Sequence, residues 1–363
     1  MPIYMDRHIV PGIEAKDAAA AHRNDLKIQD QHGVRCMTYW VDEERGNAFC
    51  LIDAPNIEAV KKMHDQAHGL VPNEIIQVNS NVVEAFLGRI QDPDGCYYHT
   101  DDDDLKIFND PAFRILLVTQ IKNPILLKST LGKDKTKQLL NLYNKIMHEQ
   151  IQKHEGREVE SEGGEFITSF ISVNQAVDCA VSIMNSLHIA TELLELKIGV
   201  NAGMPVTKSD ILFGDTIKLA KYLCNIGSNQ EIMMSSIINE IYKGTSSKNN
   251  FKCLNSKDEM FLVQLFDTLL VNYQNPLFDV TQFNDEMSMS KSKLFRKCTA
   301  LMGMSPNALL REYRLLKSLE LLKTGRNISQ TMFDCGFNSP SYFAKCFQAR
   351  FGMPPISYLR EHS

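Results

Sequence analysis

Apolar positions along the chain change their period twice, and the changes mark three regimes. In the first, Ile3 and Met5 alternate with Tyr4, Asp6 and His8, which predicts a strand over Pro2 to His8. The stretches Val34 to Val41 and Asn47 to Ala54 read as two more strands around the turn DEERG, and Glu74 to Val78 as a fourth. Between them, Ile13 to Gln31 and Asn56 to His68 carry helical spacing.

The second regime has longer elements. Phe113 to Ile121 predicts a buried strand, Leu131 to His154 an amphipathic helix, and Arg157 to Phe170 a hairpin around Gly163-Gly164. A helix over Asn174 to Leu194 follows, then strands at Leu196 to Gly203 and Glu231 to Ser236 on either side of FGDTIKLAKYLCNIG. Gln91 to Asp110, with DPDG and the run Asp101–Asp104, predicts a solvated acidic linker. It lacks the spacing and the twelfth-position Glu of a calcium-binding EF-hand loop.

The third regime is all helical. Glu259 to Tyr273 is amphipathic, and a turn at Ser288–Ser290 leads into Lys291 to Met302, which stops at Gly303. Ser305-Pro306 opens a long helix reaching Gly325, followed by Ile328 to Cys335 and Pro340 to Phe351. In the last of these, Phe343, Phe347 and Phe351 recur every four residues and predict one buried stripe. Gly336 suits a turn, Asn338 or Ser339 a cap, and Gly352 with Pro354-Pro355 a stop. The expected fold class is multidomain α+β plus all-α. It comprises a ferredoxin-like βαββαβ domain (1–90), the linker (91–110), an α/β sandwich (111–245) and a double helix-turn-helix (258–363).

Charge sharpens this division. The chain of 363 residues has a net charge of −5. From Phe283 onward, 12 Lys/Arg stand against 6 Asp/Glu, so a +6 tail follows a body of −11. A basic module on an acidic body points to nucleic acid. No apolar run reaches the ~20 residues of a membrane span. MPIYMDRHIVPG lacks the layout of a signal peptide, and nine cysteines without a C-x-x-C pair suit a reducing cytoplasm.

Five of ten histidines fall within the first 68 residues. His64 and His68, four apart, share a helix face and can meet one metal, and Asp6 and His8 share a strand face that could add ligands. The alternative is a set of surface histidines, with His32 complementing a helix C-terminus.

Three resemblances accompany these patterns. MPIYMDRH, TYWVDEERGNAFCLIDAP and the HxxxHG of His64 to Gly69 followed by LVPNEII closely resemble a family of small ferredoxin-like nickel-binding proteins. That resemblance implies a Ni(II) site involving the histidines without fixing which of them ligate, and dimerisation through the sheets; the candidate ligands are His8, His22, His64, His68 and Asp6. HEGREVESEGGEFITSF, IGVNAGMP and FGDTIKLAKYL resemble the class III adenylate/guanylate cyclase catalytic domain. Such cyclases hold two metals on two carboxylates. Here Gln120 and Gly164 stand at those positions, with Glu165 displaced by one. Lys218 and Tyr222 stand where the ribose- and triphosphate-binding Asn and Arg are expected. The resemblance therefore implies a cyclase-like fold without catalytic residues, serving as scaffold, dimerisation unit or small-molecule pocket.

MSKSKLFRKCTALMGMSPNALLREYRLLKSLELL and GFNSPSYFAKCFQARFGMPPISYLR resemble the AraC/XylS DNA-binding domain. This implies that the second helix of each unit enters the major groove, the two lying roughly 34 Å apart. Ser292, Lys293 and Arg296, and then Ser341, Tyr342 and Lys345, would face bases. Lys291, Lys297 and Arg350 would face phosphates. Asn284 and Met332 replace the family's usual small alanines, and Cys298 a usual aromatic. The reading is a cytoplasmic, homodimeric regulator of transcription that binds double-stranded DNA and responds to a metal ion or small-molecule effector. The alternatives are a nickel-binding protein with a vestigial DNA domain and, against Gln120 and Gly164, a nucleotide cyclase.

Overall fold

The computed structural model describes residues 1–93, 105–162, 164–228, 230–244 and 250–362. The expected acidic run Asp101–Asp104 and the hairpin residue Gly163 lie outside the described residues. Near the N-terminus come β1 (Ile3–Ile9), α1 (Ala15–Ile28), β2 (Arg35–Asp42), β3 (Asn47–Asp53), α2 (Ile57–His68) and β4 (Glu74–Val78). The strands form an antiparallel sheet in the order β2-β3-β1-β4. Asn56 caps α2 by accepting the Ala59 N–H, and Gly69 ends it in the left-handed conformation.

Alternation along β1 and β3 divides the side chains between two faces. Tyr4 and Ile52 pack with Val60 and Met63 of α2 on one side. Met5, Trp40, Phe49 and Leu51 occupy the other, and that side is covered too. Helix α3 (Ser80–Leu87) lays Val83, Phe86 and Leu87 on it, and Leu116, Val206, Leu212 and Phe213 of the next domain complete the cover. Phe86 and Phe213 meet with ring centroids 4.7 Å apart. The sheet-to-sheet dimerisation implied by the family resemblance has no open face here, because the chain buries that face itself.

The second sheet contains β5 (Arg114–Ile121), β6 (Arg157–Glu162), β7 (Glu165–Phe170), β8 (Leu196–Gly203), β9 (Ile232–Met234) and β10 (Phe251–Cys253). Their order is β10-β9-β8-β5-β7-β6. The helix expected over Leu131 to His154 is α5 (Lys133–Lys153); a separate α4 (Pro124–Leu131), not expected, precedes it across Gly132, which has φ +81°. With α6 (Val173–Ala190), α5 buries Tyr143, Met147, Val177 and Ile183 against Ile115, Leu117 and Ile121. On the opposite face α7 (Gly214–Ile226) sets Ala220 and Cys224 against Val118 and Ile167. A short α8 (Ser236–Ile241) precedes β10.

Seven helices complete the chain: α9 (Ser256–Asn272), α10 (Val280–Glu286), α11 (Lys291–Met302), α12 (Pro306–Lys323), α13 (Ile328–Asp334), α14 (Pro340–Phe351) and α15 (Pro355–His362). One core joins Phe261, Leu265, Phe283, Leu294 and Leu310, and takes in Leu223 and Met233 of the middle domain. A second joins Leu322, Met332, Phe343, Phe347 and Phe351, with Ile125 of α4 packed against it. There α4 approaches so closely that a Cβ at Gly352 would collide with Ser129 Oγ, and Lys128 is ion-paired with Glu361. Among the described residues no helix is long and apolar enough to cross a membrane.

Phe49 is fully buried between the first sheet and its cover. Phe49→Ala is expected to cost ~3–5 kcal/mol in denaturant unfolding. A loss below about 1 kcal/mol would contradict an intrachain contact on that face.

Candidate metal centre and candidate nucleic-acid interface

The polar half of β1 and β3 lies in the dry layer beneath α1 and α2. Asp6, His8 and His64 are buried there, joined by Asp25 of α1 and Cys50 of β3, with His68 at the edge. His64 Nε2 donates to Asp6 Oδ2 at 2.8 Å, and the Cys50 N–H donates to Asp6 Oδ1 at 2.9 Å. His64 Nδ1 and His68 Nε2 each lie 3.2 Å from Asp25 Oδ1 and 3.1 Å from each other. Those two contacts to Asp25 are ion pairs in distance, yet Asp25 Oδ1 accepts no well-aligned hydrogen bond and is left a buried orphan. His8 Nε2, 3.4 Å from Asp6 Oδ1, is another.

Burial alone would drive His64 toward the neutral form. The Asp6 charge, the Asp25 carboxylate 3.2 Å from Nδ1 and the hydrogen bond to Asp6 more than offset it and raise the pKa to about 10. Burial pushes the Asp6 carboxyl up, but His8 and His64 hold it well below the usual carboxylate range. Burial and the neighbouring Asp6 push the Cys50 thiol well above its ordinary value.

The arrangement fits a transition-metal ion in one place better than elsewhere. Donors bound at ~2.1 Å lie roughly 3.0–3.4 Å apart around an octahedral or tetrahedral ion. Asp25 Oδ1, His64 Nδ1 and His68 Nε2 have that spacing. Asp6 then keeps the proton on His64 Nε2 and leaves Nδ1 for the metal, a carboxylate–histidine–metal relay. His68 Nδ1 accepts the Leu70 N–H at 3.1 Å, so ligation through its Nε2 requires that hydrogen bond to be given up. Imidazole with carboxylate is a donor set suited to nickel.

Asp25 belongs to no motif, Cys50 lies inside the stretch TYWVDEERGNAFCLIDAP without standing out there, and only the i,i+4 pair and strand parity announced their neighbours. His22, expected among the ligands, lies apart from them. It is buried against Tyr39, ring centroids 5.2 Å apart, with Nε2 3.5 Å from Asp92. His32 meets Gln66 instead.

The cyclase-like positions are turned to structural use. Gln120 pairs directly with Glu165, so Glu165 shares its face of the sheet, and Glu165 is ion-paired with Lys221 at 2.7 Å. Lys218 binds Asp267 of α9 at 2.7 Å, while Tyr222 donates to Asp267 and stacks on Phe266. Among the described residues the groups able to share a metal ion lie in the first sheet and its helices.

In the C-terminal module α11 and α14 are each 12 residues long. Each follows a serine and ends on a left-handed glycine, Gly303 or Gly352. Ser339 accepts the Tyr342 N–H, settling the choice between Asn338 and Ser339 as cap. Lys291, Ser292, Lys293, Arg296, Ser341, Tyr342 and Lys345 are exposed. Lys297 and Arg350, expected at phosphates, are engaged within the chain. Lys297 pairs with Asp258 at 3.0 Å over the Phe261 ring, and Arg350 Nε donates to Glu312 at 2.6 Å. Cys298 and Met332 fill core positions without polar cost, whereas Asn284 Oδ1 is buried without a partner.

The raised His64 pKa carries a sign for stability. Its contribution is complete below its ordinary value near 6.5 and is lost as pH rises through about 10. In metal-free buffer the melting temperature should therefore fall between pH 7 and 10, and the fall should be shallower in His64→Gln. Parallel pH profiles would refute the ion-paired imidazolium.

Two family models match separate parts of the chain. A nickel responsive protein SCO4226-like family matches residues 4–78, and a helix-turn-helix domain family matches residues 284–361. A histidine kinase P4 of Formosa agariphila is 39% identical over 111 residues, 30% of this chain and 8% of that protein. The HTH-type transcriptional regulator AdiY of Escherichia coli K12 is 46% identical over 43 residues, 12% of this chain and 17% of that protein. The chain thus spans less than a fifth of either relative. The crystal structure of SCO4226 from Streptomyces coelicolor is 32% identical, with a TM-score of 0.20, covering 21% of this chain and 94% of that one. Cyclase folds also occur among similar solved structures, at TM-scores of 0.30 and 0.32. The chain carries an AraC-type helix-turn-helix domain at its C-terminus and an SCO4226-like nickel-responsive domain at its N-terminus.

Proposed function

We propose that this chain is a sequence-specific DNA-binding regulator of transcription whose N-terminal centre takes up a divalent metal, nickel foremost. In this reading residues 1–90 bind the metal, 111–245 form a noncatalytic scaffold, and 258–363 read DNA. The observation that carries it is the pair of matched helices α11 and α14. Each is anchored by buried residues at its fourth and eighth positions and turns an uncommitted serine and basic residue outward: Ser292 with Arg296, Ser341 with Lys345. Such a helix can enter the major groove without unfolding anything behind it. Lys291 and Lys293 supply phosphate affinity, and Arg296 suits the O6 and N7 edge of guanine. Asp25, His64 and His68 are the proposed ligands, with Asp6 as the orienting carboxylate.

A second reading, a nickel-binding protein whose DNA module no longer works, draws on Lys297 and Arg350 being consumed internally and on the orphaned Asn284 amide. An in vitro selection with the full chain separates the two. The regulator is expected to enrich one motif, with affinity falling steeply with salt. Arg296→Ala should cost ~1–3 kcal/mol and relax one base position. Absence of any selective, salt-sensitive binding overturns the proposal. Separately, Ni(II) titration should release protons, because the metal must displace the His64 Nδ1 proton. Equal affinity in His64→Ala/His68→Ala would remove this centre.

A further inference from the structure

The outward face of α11 holds one residue that neither the fold nor the basic-face argument uses. Spacing of three and four places Ser292, Phe295, Arg296 and Thr299 together, away from buried Leu294 and Cys298. Phe295 is 53% exposed and joins no apolar cluster or ring pair among the described residues. An aromatic side chain at the middle of a polar helix face contributes nothing to the core and leaves a large apolar surface in water.

Helix α14 provides an internal comparison. Counted from the preceding serine, both helices place serine second (Ser292, Ser341) and a buried apolar residue fourth (Leu294, Phe343). Both place a basic residue sixth (Arg296, Lys345) and a buried residue eighth (Cys298, Phe347). The odd positions differ, and at the fifth Phe295 stands in one helix and Ala344 in the other, while α14 carries its own exposed aromatic, Tyr342, at the third.

We propose that Phe295 is a specificity-determining residue that recognises the C5-methyl group of a thymine in the major groove, beside the base read by Arg296. This rests on the DNA-reading function proposed above. Among the four bases only thymine presents an apolar group on that groove edge, and phenylalanine is a chemical match for it. Ser292 and Arg296 flank the ring, so the contact is sealed by groups that hydrogen-bond rather than compete for the methyl. Ala344 is too short to reproduce it, so the thymine preference belongs to the half-site read by α11 alone.

The test uses the full chain and the duplex obtained by selection, with each thymine replaced in turn by deoxyuridine, which lacks only the methyl. One replacement in the α11 half-site is expected to weaken binding roughly three- to tenfold, the scale of one buried methyl plus its excluded water. Phe295→Ala should bind the thymine and uracil duplexes equally, with unchanged unfolding because the side chain is exposed. Replacements in the other half-site should have no such Phe295-dependent effect. Wild-type binding indifferent to every thymine methyl, or equal methyl sensitivity in Phe295→Ala, overturns the proposal while leaving the regulator reading intact. Failure to select any duplex overturns both.

Discussion

Strands β1 and β3 alternate apolar with polar side chains, and here both sets are out of water. Met5, Phe49 and Leu51 are sealed by Phe86 and Phe213, while Asp6, His8 and Cys50 lie beneath the two helices. A two-layer sheet ordinarily leaves one face wet. Covering the apolar face from within the chain removes the dimer surface and makes the polar layer the interior of the domain. Unpaired charge in such a layer is costly, which is why every buried carboxylate there faces an imidazole.

That pairing is incomplete in a telling way. Asp6 and Asp25 present two negative charges to the single imidazolium of His64, and Asp25 Oδ1 and His8 Nε2 lack aligned partners. A metal ion on Asp25, His64 and His68 would add positive charge and occupy the orphaned Asp25 Oδ1, while His8 Nε2 lies outside that set. Proton and metal therefore compete for His64 Nδ1. The metal-free centre is held together by the proton that the metal would replace.

Period-two and period-3.6 patterns made the βαββαβ order, the two long helices of the middle domain and the paired recognition helices legible in the sequence, because each buries one regular face. Helix α4, ahead of Gly132, fully buries none of its eight residues and so left no stripe to read. Helix α3 and strand β10 are too short to show a period. At the metal centre His64 and His68 were visible as neighbours on one helix, but Asp25 reaches them from another element. His22 misled because it shares α1 with Asp25 yet sits one turn away beneath Tyr39. Lys297 and Arg350 were placed on the correct helices, but spacing along a helix says nothing of Asp258 and Glu312 on others.

Helix α7 of the middle domain works as a strut between its neighbours. Lys218 and Tyr222, at positions where a cyclase would hold its nucleotide, both grip Asp267 of α9. Phe213, immediately before α7, covers the first sheet, while Leu223 near the end of the same helix enters the first helix-turn-helix core. One 13-residue helix thus touches the cover of the first sheet at its start and the first helix-turn-helix core at its end. Lys218 and Tyr222 together fasten α7 to α9 through Asp267.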